Sequence, residues 1–146
     1  MSSDVVYNHI GLCVTDLARS RRFYEELLRF EHQRELKPPD DPTAKLLRID
    51  PPVNLTAVYL VRDGLVLELL HYDRPGNPPA RERPFNEPGL THISLSVDDV
   101  DDVARRVPAY GGEVLADTNV GFGLMVRDPD GQVLELLPMA YRASLG

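Results

Sequence analysis

Apolar and polar residues alternate along two short stretches of the chain, residues 9–14 and 92–97. A period of two is typical of a strand that turns one face to a hydrophobic core. A helical pattern follows each stretch, over about Leu17–Arg29 in the first case and from residues 98–99 onward in the second. Each helical pattern begins beside an aspartate that can cap it, which supports both predictions.

Three segments with strand character follow each predicted helix, and they are separated by turn residues. They lie near Glu31–Lys37, Asn54–Arg62 and Leu65–His71 in the first half, and near Glu113–Asp117, Phe122–Asp128 and Gln132–Pro138 in the second. The order strand, helix and three strands therefore occurs twice. This order predicts an α+β fold with two mainly antiparallel sheets.

The two halves are also similar in sequence, which indicates two diverged copies of one unit. HIGLCVTDL at residues 9–17 aligns with HISLSVDDV at residues 92–100, and VLELL occurs twice. Between the copies, Arg74–Pro88 contains five prolines and cannot form a long helix or a central strand. We therefore expect one domain over residues 1–146, made of module 1 (about 5–73), a proline-rich connector (74–88) and module 2 (about 89–140).

Composition and charge exclude several classes of protein. With 146 residues and 42% hydrophobic content, the chain can bury one ordinary core. A net charge of −7 argues against nucleic-acid binding, and no apolar run is long enough to span a membrane. Cys13 is the single cysteine, and MSSDVVYNH at the start lacks the apolar segment of a secretory signal. We expect a cytoplasmic protein whose partner is a small molecule.

Each VLELL copy places a carboxylate, Glu68 or Glu135, at the centre of an apolar run. Burial of such a group is costly unless something pairs with it. Strand alternation puts His9 and His92 on the faces opposite the aliphatic side chains, and a pseudo-twofold relation between the copies would bring all four groups together. Two imidazoles and two carboxylates suit a borderline or hard divalent ion. We therefore predict one ion, Ni, Co, Mn, Fe or Zn, bound by these four residues.

The sequence resembles the vicinal oxygen chelate superfamily, which includes glyoxalase I, methylmalonyl-CoA epimerase, extradiol dioxygenases and bleomycin-resistance proteins. The resemblance extends from Asn8 to Leu137 and rests on His9-Ile-Gly11, Phe23-Tyr24, Leu67-Glu-Leu69, Gly89-Leu-Thr-His-Ile93 and Asp128-Pro-Asp-Gly131. It implies paired βαβββ modules that form an open, curved mixed sheet around a metal-binding cavity. The ligand positions of the family map onto the same four residues, in the order of glyoxalase I. We also expect a homodimer.

The resemblance to glyoxalase I implies a metal-dependent lyase or isomerase that acts on an α-oxygenated carbonyl compound. The reaction would pass through a metal-stabilised enediolate. Glu135 or Glu68 would move the proton, and the sequence leaves open which of them does so. It also leaves open whether the metal site lies within one chain or is shared across a dimer.

Departures from the family pattern bear on the substrate. Cys13 stands where glyoxalase I typically has a glutathione-binding arginine, and Leu70–Pro75 replaces the asparagine region that contacts glutathione, so both count against glutathione. Epimerases usually have glutamine at the position of Glu68, and an acyl-CoA epimerase is one alternative. Dioxygenases use only three protein ligands, two His and one Glu, so the additional Glu68 counts against that class. The other alternative is a drug- or metabolite-binding protein without chemistry, although such relatives lack the four metal residues.

The first module is longer than the second. The spacing from His9 to Glu68 is 59 positions, and that from His92 to Glu135 is 43. The surplus fits residues 37–53, which contain five prolines. We expect a long loop there, which forms an arm beside the cavity or across a dimer interface.

Overall fold

The computed structural model describes residues 4–142 of the chain. Residues 1–3, part of the stretch behind the expectation about a secretory signal, lie outside the described residues. The chain divides between Pro78 and Pro79 into two compact units, called here the first unit and the second unit. Each unit has one open four-stranded mixed sheet and its own helices, which confirms the α+β fold of paired βαβββ modules.

In the first unit, β1 and β4 pair in parallel, whereas β4, β3 and β2 pair antiparallel in the sheet order β1-β4-β3-β2. The helix α1 continues directly as a π-helical segment, Arg22–Leu27. The elements are β1 Ile10–Cys13, α1 Leu17–Arg21, β2 Glu31–Leu36, α2 Asp40–Leu47, β3 Leu55–Arg62 and β4 Leu65–Tyr72.

The second unit has the same arrangement, with sheet order β5-β8-β7-β6 and a parallel pair formed by β5 and β8. The elements are β5 His92–Val97, α3 Val100–Arg106, β6 Glu113–Leu115, β7 Leu124–Arg127 and β8 Val133–Pro138. Short 3₁₀ turns follow α3, β6 and β8, at Val107–Tyr110, Ala116–Thr118 and Met139–Tyr141. The strand that contains a VLELL motif is therefore central in each sheet.

The alternation in the VLELL strands sets the two faces of each sheet. Leu67 and Leu69 in β4, and Leu134 and Leu136 in β8, are 0% exposed. The aliphatic face packs against helices, with α1 against β4 and α3 against β8. Burying each such side chain contributes about 1.5–3 kcal/mol, which holds the glutamate between the leucines on the opposite face.

Both predicted helix caps are present. The Asp16 carboxylate accepts a hydrogen bond from the backbone N–H of Arg19 at 3.0 Å, and Asp99 accepts one from Asp102 at 3.0 Å. Such caps satisfy amide groups that have no partner within the helix. They fix the residue at which each helix begins, shortly after β1 in the first unit and β5 in the second.

The segment 37–53, expected to be a loop, contains α2. Its prolines did not exclude a helix, because Pro39 precedes α2 and Pro42 lies in its first turn. The first-turn amides of a helix have no partner within the helix, so proline is tolerated there. The loop prediction is wrong on this point, and a role at a dimer interface stays a prediction.

Side-chain hydrogen bonds tie α2 to the start of β3. Asp40 Oδ1 accepts from the backbone N–H of Val53 at 2.8 Å and from that of Asn54 at 2.9 Å. Ala44, Val53 and Leu55 are buried together in a small cluster. The segment 37–53, which we call the insertion, is therefore a packed part of the first unit.

Residues 74–91, all of which the structure describes, form turns and extended segments without a helix or strand. The proline content accounts for this. In the part of the chain from residue 4 to residue 142, no helix has the length and apolar character needed to cross a membrane.

Candidate functional site

In the first candidate pair, Glu68 lies in β4 and His9 immediately precedes the parallel strand β1. Gly11 is in register with Glu68, and His9 lies on the same face because it is two residues before Gly11. His9 Nε2 is 3.4 Å from Glu68 Oε1. The two side chains are 32% and 14% exposed, so the carboxylate is largely shielded from solvent.

Tyr59 and Arg34 complete the surroundings of the first pair. The Tyr59 hydroxyl donates to Glu68 Oε2, and the Tyr59 ring meets the His9 ring edge-on with centroids 5.5 Å apart. The Arg34 guanidinium carbon lies 4.6 Å from the Tyr59 ring centroid. Burial, followed by the hydrogen bond to Glu68, raises the pKa of Tyr59. The phenol therefore stays protonated at neutral pH and keeps donating to the carboxylate.

The second pair repeats this placement on β5 and β8. Ser94 is in register with Glu135, and His92 lies two residues before Ser94. His92 Nε2 is 3.9 Å from Glu135 Oε1, and the side chains are 31% and 28% exposed. Ser94 occupies the place of Gly11, and its hydroxyl donates to Glu135 Oε1 at 2.8 Å. The second carboxylate is more exposed than the first and has a different donor.

A polar residue immediately before each histidine contacts its other ring nitrogen. Asn8 Oδ1 lies 2.5 Å from His9 Nδ1, and Thr91 Oγ1 lies 2.8 Å from His92 Nδ1. An amide oxygen only accepts, so Nδ1 of His9 carries the proton and a neutral ring has its lone pair on Nε2. This orientation is typical of a metal-binding imidazole held by a neighbouring acceptor.

The spacing of the first pair fits two ligands of one divalent cation, and the spacing of the second pair is wider. In the first pair, the Nε2 lone pair of His9 faces a carboxylate oxygen of Glu68, and a cation between two such groups would stabilise both. Two ligands about 2.0–2.2 Å from one ion lie roughly 3.0–3.4 Å apart. The first pair falls within this range, and the second, at 3.9 Å, lies beyond it.

Each histidine predicted as a ligand therefore lies beside the glutamate of its own unit. Among residues 4–142, no group of three or more His, Cys, Asp or Glu side chains is gathered closely enough to hold a metal ion. The convergence of all four residues on one ion stays a prediction.

A cavity of about 400 Å³ opens beside the second pair. Its walls are mainly apolar, and Glu135 is the only ionisable residue among the described residues that line it. The polar group of Thr118 is occupied, because its hydroxyl donates to the Leu115 carbonyl at 2.6 Å and accepts from the Met125 N–H at 2.9 Å. Among the lining residues that the structure describes, Glu135 thus supplies the one charged group.

Tyr59 and Ser94 were not identified from sequence, although signals for both were present. Asp63 and Gly64 form a two-residue turn with positive φ angles of 47° and 79°. Such a turn fixes hairpin register, and this register places Tyr59 opposite Glu68. Ser94 is the residue that aligns with Gly11 in the repeat, so pairing β5 with β8 identifies it.

A sequence model described as the Glyoxalase/Bleomycin resistance protein/Dioxygenase superfamily matches residues 6–136. The chain belongs to this superfamily, and the predicted resemblance is confirmed. Among the curated proteins compared by sequence, none matches the chain significantly.

Solved structures with the same fold include proteins with different described roles. A glyoxalase family protein from Bacillus cereus has a TM-score of 0.76 at 15% identity, over 94% of this chain and 97% of that one. The trypanothione-dependent glyoxalase I of Leishmania major has a TM-score of 0.65 at 26% identity, over 90% and 85%. The fosfomycin resistance protein FosX of Listeria monocytogenes, complexed with Mn(II) and sulfate, has a TM-score of 0.62 at 20% identity, over 99% and 96%.

Proposed function

We propose that the protein is a metal-dependent lyase or isomerase of the glyoxalase type, acting on an α-oxygenated carbonyl compound. The observation that supports this most strongly is the repeated pair, with His9 beside Glu68 and His92 beside Glu135 in equivalent registers. The similarity to Leishmania major glyoxalase I, at 26% identity, supports the reaction class.

His9, Glu68, His92 and Glu135 would together hold one divalent ion. Such an ion, when bound, supplies a Lewis acid that polarises the substrate carbonyl and makes the neighbouring C–H more acidic. Imidazole and carboxylate ligands do not select strongly among Ni, Co, Mn, Fe and Zn, so availability decides which ion is bound.

In this proposal Glu135 is the catalytic base and Glu68 mainly a ligand. Glu135 lines the cavity and is 28% exposed, whereas Glu68 is 14% exposed and has Oε2 engaged by Tyr59. The Ser94 hydroxyl donates to Oε1 of Glu135 at 2.8 Å, and this contact helps to hold the carboxylate in place. Glu135 then removes the proton next to the carbonyl and returns it to the adjacent carbon or to solvent.

The test is exchange of a substrate proton in heavy water, followed by NMR. Candidate substrates are hemithioacetals, α-hydroxy ketones and acyl thioesters. Protein loaded with each ion in turn should exchange the proton next to the carbonyl, and a chelator should abolish the exchange. His92→Ala should lose the activity, while His32→Ala, a histidine outside both pairs, should keep it.

A second candidate function is sequestration of a small molecule without chemistry, and the apolar cavity of the second unit supports it. Metal-loaded protein that binds members of the panel tightly but exchanges no proton would establish this alternative. Exchange confined to acyl-CoA esters would indicate an epimerase instead. The proposal includes a homodimer, which sedimentation velocity of the metal-loaded protein would test.

A further inference from the structure

We infer that the substrate carries an uncharged aryl or branched alkyl group beside its α-oxygenated carbonyl, and that the cavity of the second unit receives this group. The inference rests on the proposed function, which supplies the carbonyl chemistry. It specifies the part of the substrate that does not react.

The first argument is the chemistry of the cavity wall. The apolar side chains that line it include those of Phe85, Leu115, Val120, Phe122, Met125 and Leu137. Its volume of about 400 Å³ is within the range of small-molecule sites, which are typically apolar with a few polar groups that set orientation. Here the polar group available for that purpose is the Glu135 carboxylate.

The second argument is the direction in which a ligand would lie. Phe85 forms part of the wall and also stacks on His92, with ring centroids 5.6 Å apart and an angle of 15°. Glu135 also lines the cavity, and His92 contacts the cavity wall through the Phe85 ring. A ligand whose apolar group fills the cavity would have its polar end at this pair.

The third argument is what the wall does not offer. A peptide such as glutathione or a nucleotide handle such as CoA carries anionic groups, which proteins bind with Arg, Lys or several N–H donors. None of the described residues that line the cavity is Arg or Lys, and the one charged residue is an acid. An anionic group placed in this space would be repelled by Glu135.

The outer part of the wall is held in place by a second ring. Phe122 stacks on Tyr141 with centroids 5.4 Å apart and an angle of 26°. Phe122 is 51% exposed, so its ring can meet a ligand without a rearrangement of the core. An aromatic substituent gains from such ring contacts in addition to its apolar area.

The test compares matched ligands by calorimetry with the full chain loaded with Zn(II). Hydroxyacetone and 2-hydroxyacetophenone share the α-hydroxy ketone and differ by methyl against phenyl. We expect the phenyl compound to bind at least about 10-fold more tightly, as burial of an aromatic group predicts. Its 4-carboxylate derivative should bind more weakly than the parent compound.

Two variants of exposed wall residues and one control complete the experiment. Phe122→Ala and Val120→Asp should each reduce the phenyl preference several-fold, and Val120 is 64% exposed, so neither change disturbs the core. Leu90→Ala, an exposed leucine of the second unit that does not line the cavity, should keep the preference. Thermal unfolding of each variant verifies that it is folded.

Wild-type affinities for the two ketones within about twofold of each other, or an unchanged preference in both wall variants, would overturn the inference. A phenyl preference with no proton exchange would support the cavity assignment and refute the proposed function. Exchange without a phenyl preference would support the proposed function and refute the cavity assignment.

Discussion

The two His–Glu pairs have the same backbone placement and different neighbours. In each unit the glutamate lies in an inner strand, and the histidine either begins or immediately precedes the strand parallel to it. Glu68 accepts from Tyr59, is 14% exposed and lies beside Gly11. Glu135 accepts from Ser94, is 28% exposed and lines a cavity.

This difference indicates how a repeated unit can supply two distinct functions. The strand pattern, which the aliphatic core requires, places a histidine and a glutamate side by side in both copies. The neighbouring residues then determine what each carboxylate can do. A shielded carboxylate with a fixed hydroxyl donor suits a ligand, and an accessible one at a cavity suits a base.

The largest effect should come from exchanging each glutamate for glutamine. Glu135→Gln should reduce proton exchange by about 10²–10⁴-fold at equal metal occupancy, because the amide cannot accept the proton. Glu68→Gln should reduce it by less than about 10-fold, because an amide oxygen can still coordinate the ion. Exchange rates normalised to bound metal measure both, and the opposite ranking would reverse the roles of the two pairs.

The next effect concerns the insertion that only the first unit has. Asp40→Ala should lower the free energy of unfolding by about 2 kcal/mol, because two backbone N–H groups lose a charged acceptor. Asp41→Ala, an exposed neighbour in the same helical turn, is the matched control and should cost much less. Denaturant unfolding measures both, and equal costs would show that the Asp40 contacts contribute nothing specific.

A smaller effect is expected from the hydroxyl donors. Tyr59→Phe should weaken metal binding by about 10-fold, which is typical when a group that orients a ligand is lost. Ser94→Ala should weaken metal binding less and slow proton exchange more. Competition with a chromophoric chelator gives the affinities, and Tyr110→Phe is a control outside both pairs. Equal effects of the two changes on metal affinity would remove the distinction between the pairs.

The smallest effect should come from giving the first pair the neighbour of the second. A Cβ at Gly11 would lie 3.3 Å from Leu70 Cδ1 and 3.8 Å from Glu68 Oε1, so a small side chain fits after a slight shift. Gly11→Ser should therefore change stability by less than about 1 kcal/mol and leave metal affinity within severalfold. Loss of the folded state, measured by circular dichroism, would show that glycine is required there.

Much of this fold is predictable from sequence because it depends on periodic burial. The repeat and the leucines that flank each glutamate identify the central strands and their polar faces. The helix α2 was missed because its prolines resemble a loop, and only tertiary contacts, such as those of Asp40 with Val53 and Asn54, show that it is anchored.

The candidate site was partly predictable for a similar reason. His9, Glu68, His92 and Glu135 follow from matched positions in two copies. Tyr59 and Ser94 depend on which residues face each other across strands, and strand register is needed before either can be named. The cavity beside Glu135 depends on three-dimensional packing, which sequence patterns do not specify.

The central claim is that one divalent ion is held by both pairs together, and metal stoichiometry tests it most directly. Wild-type protein loaded with Zn(II) and dialysed should retain one ion per chain by elemental analysis. His9→Ala and His92→Ala should each bind the ion at least about 10-fold more weakly, while His32→Ala should match the wild type. Undiminished metal affinity in either His9→Ala or His92→Ala would contradict the account.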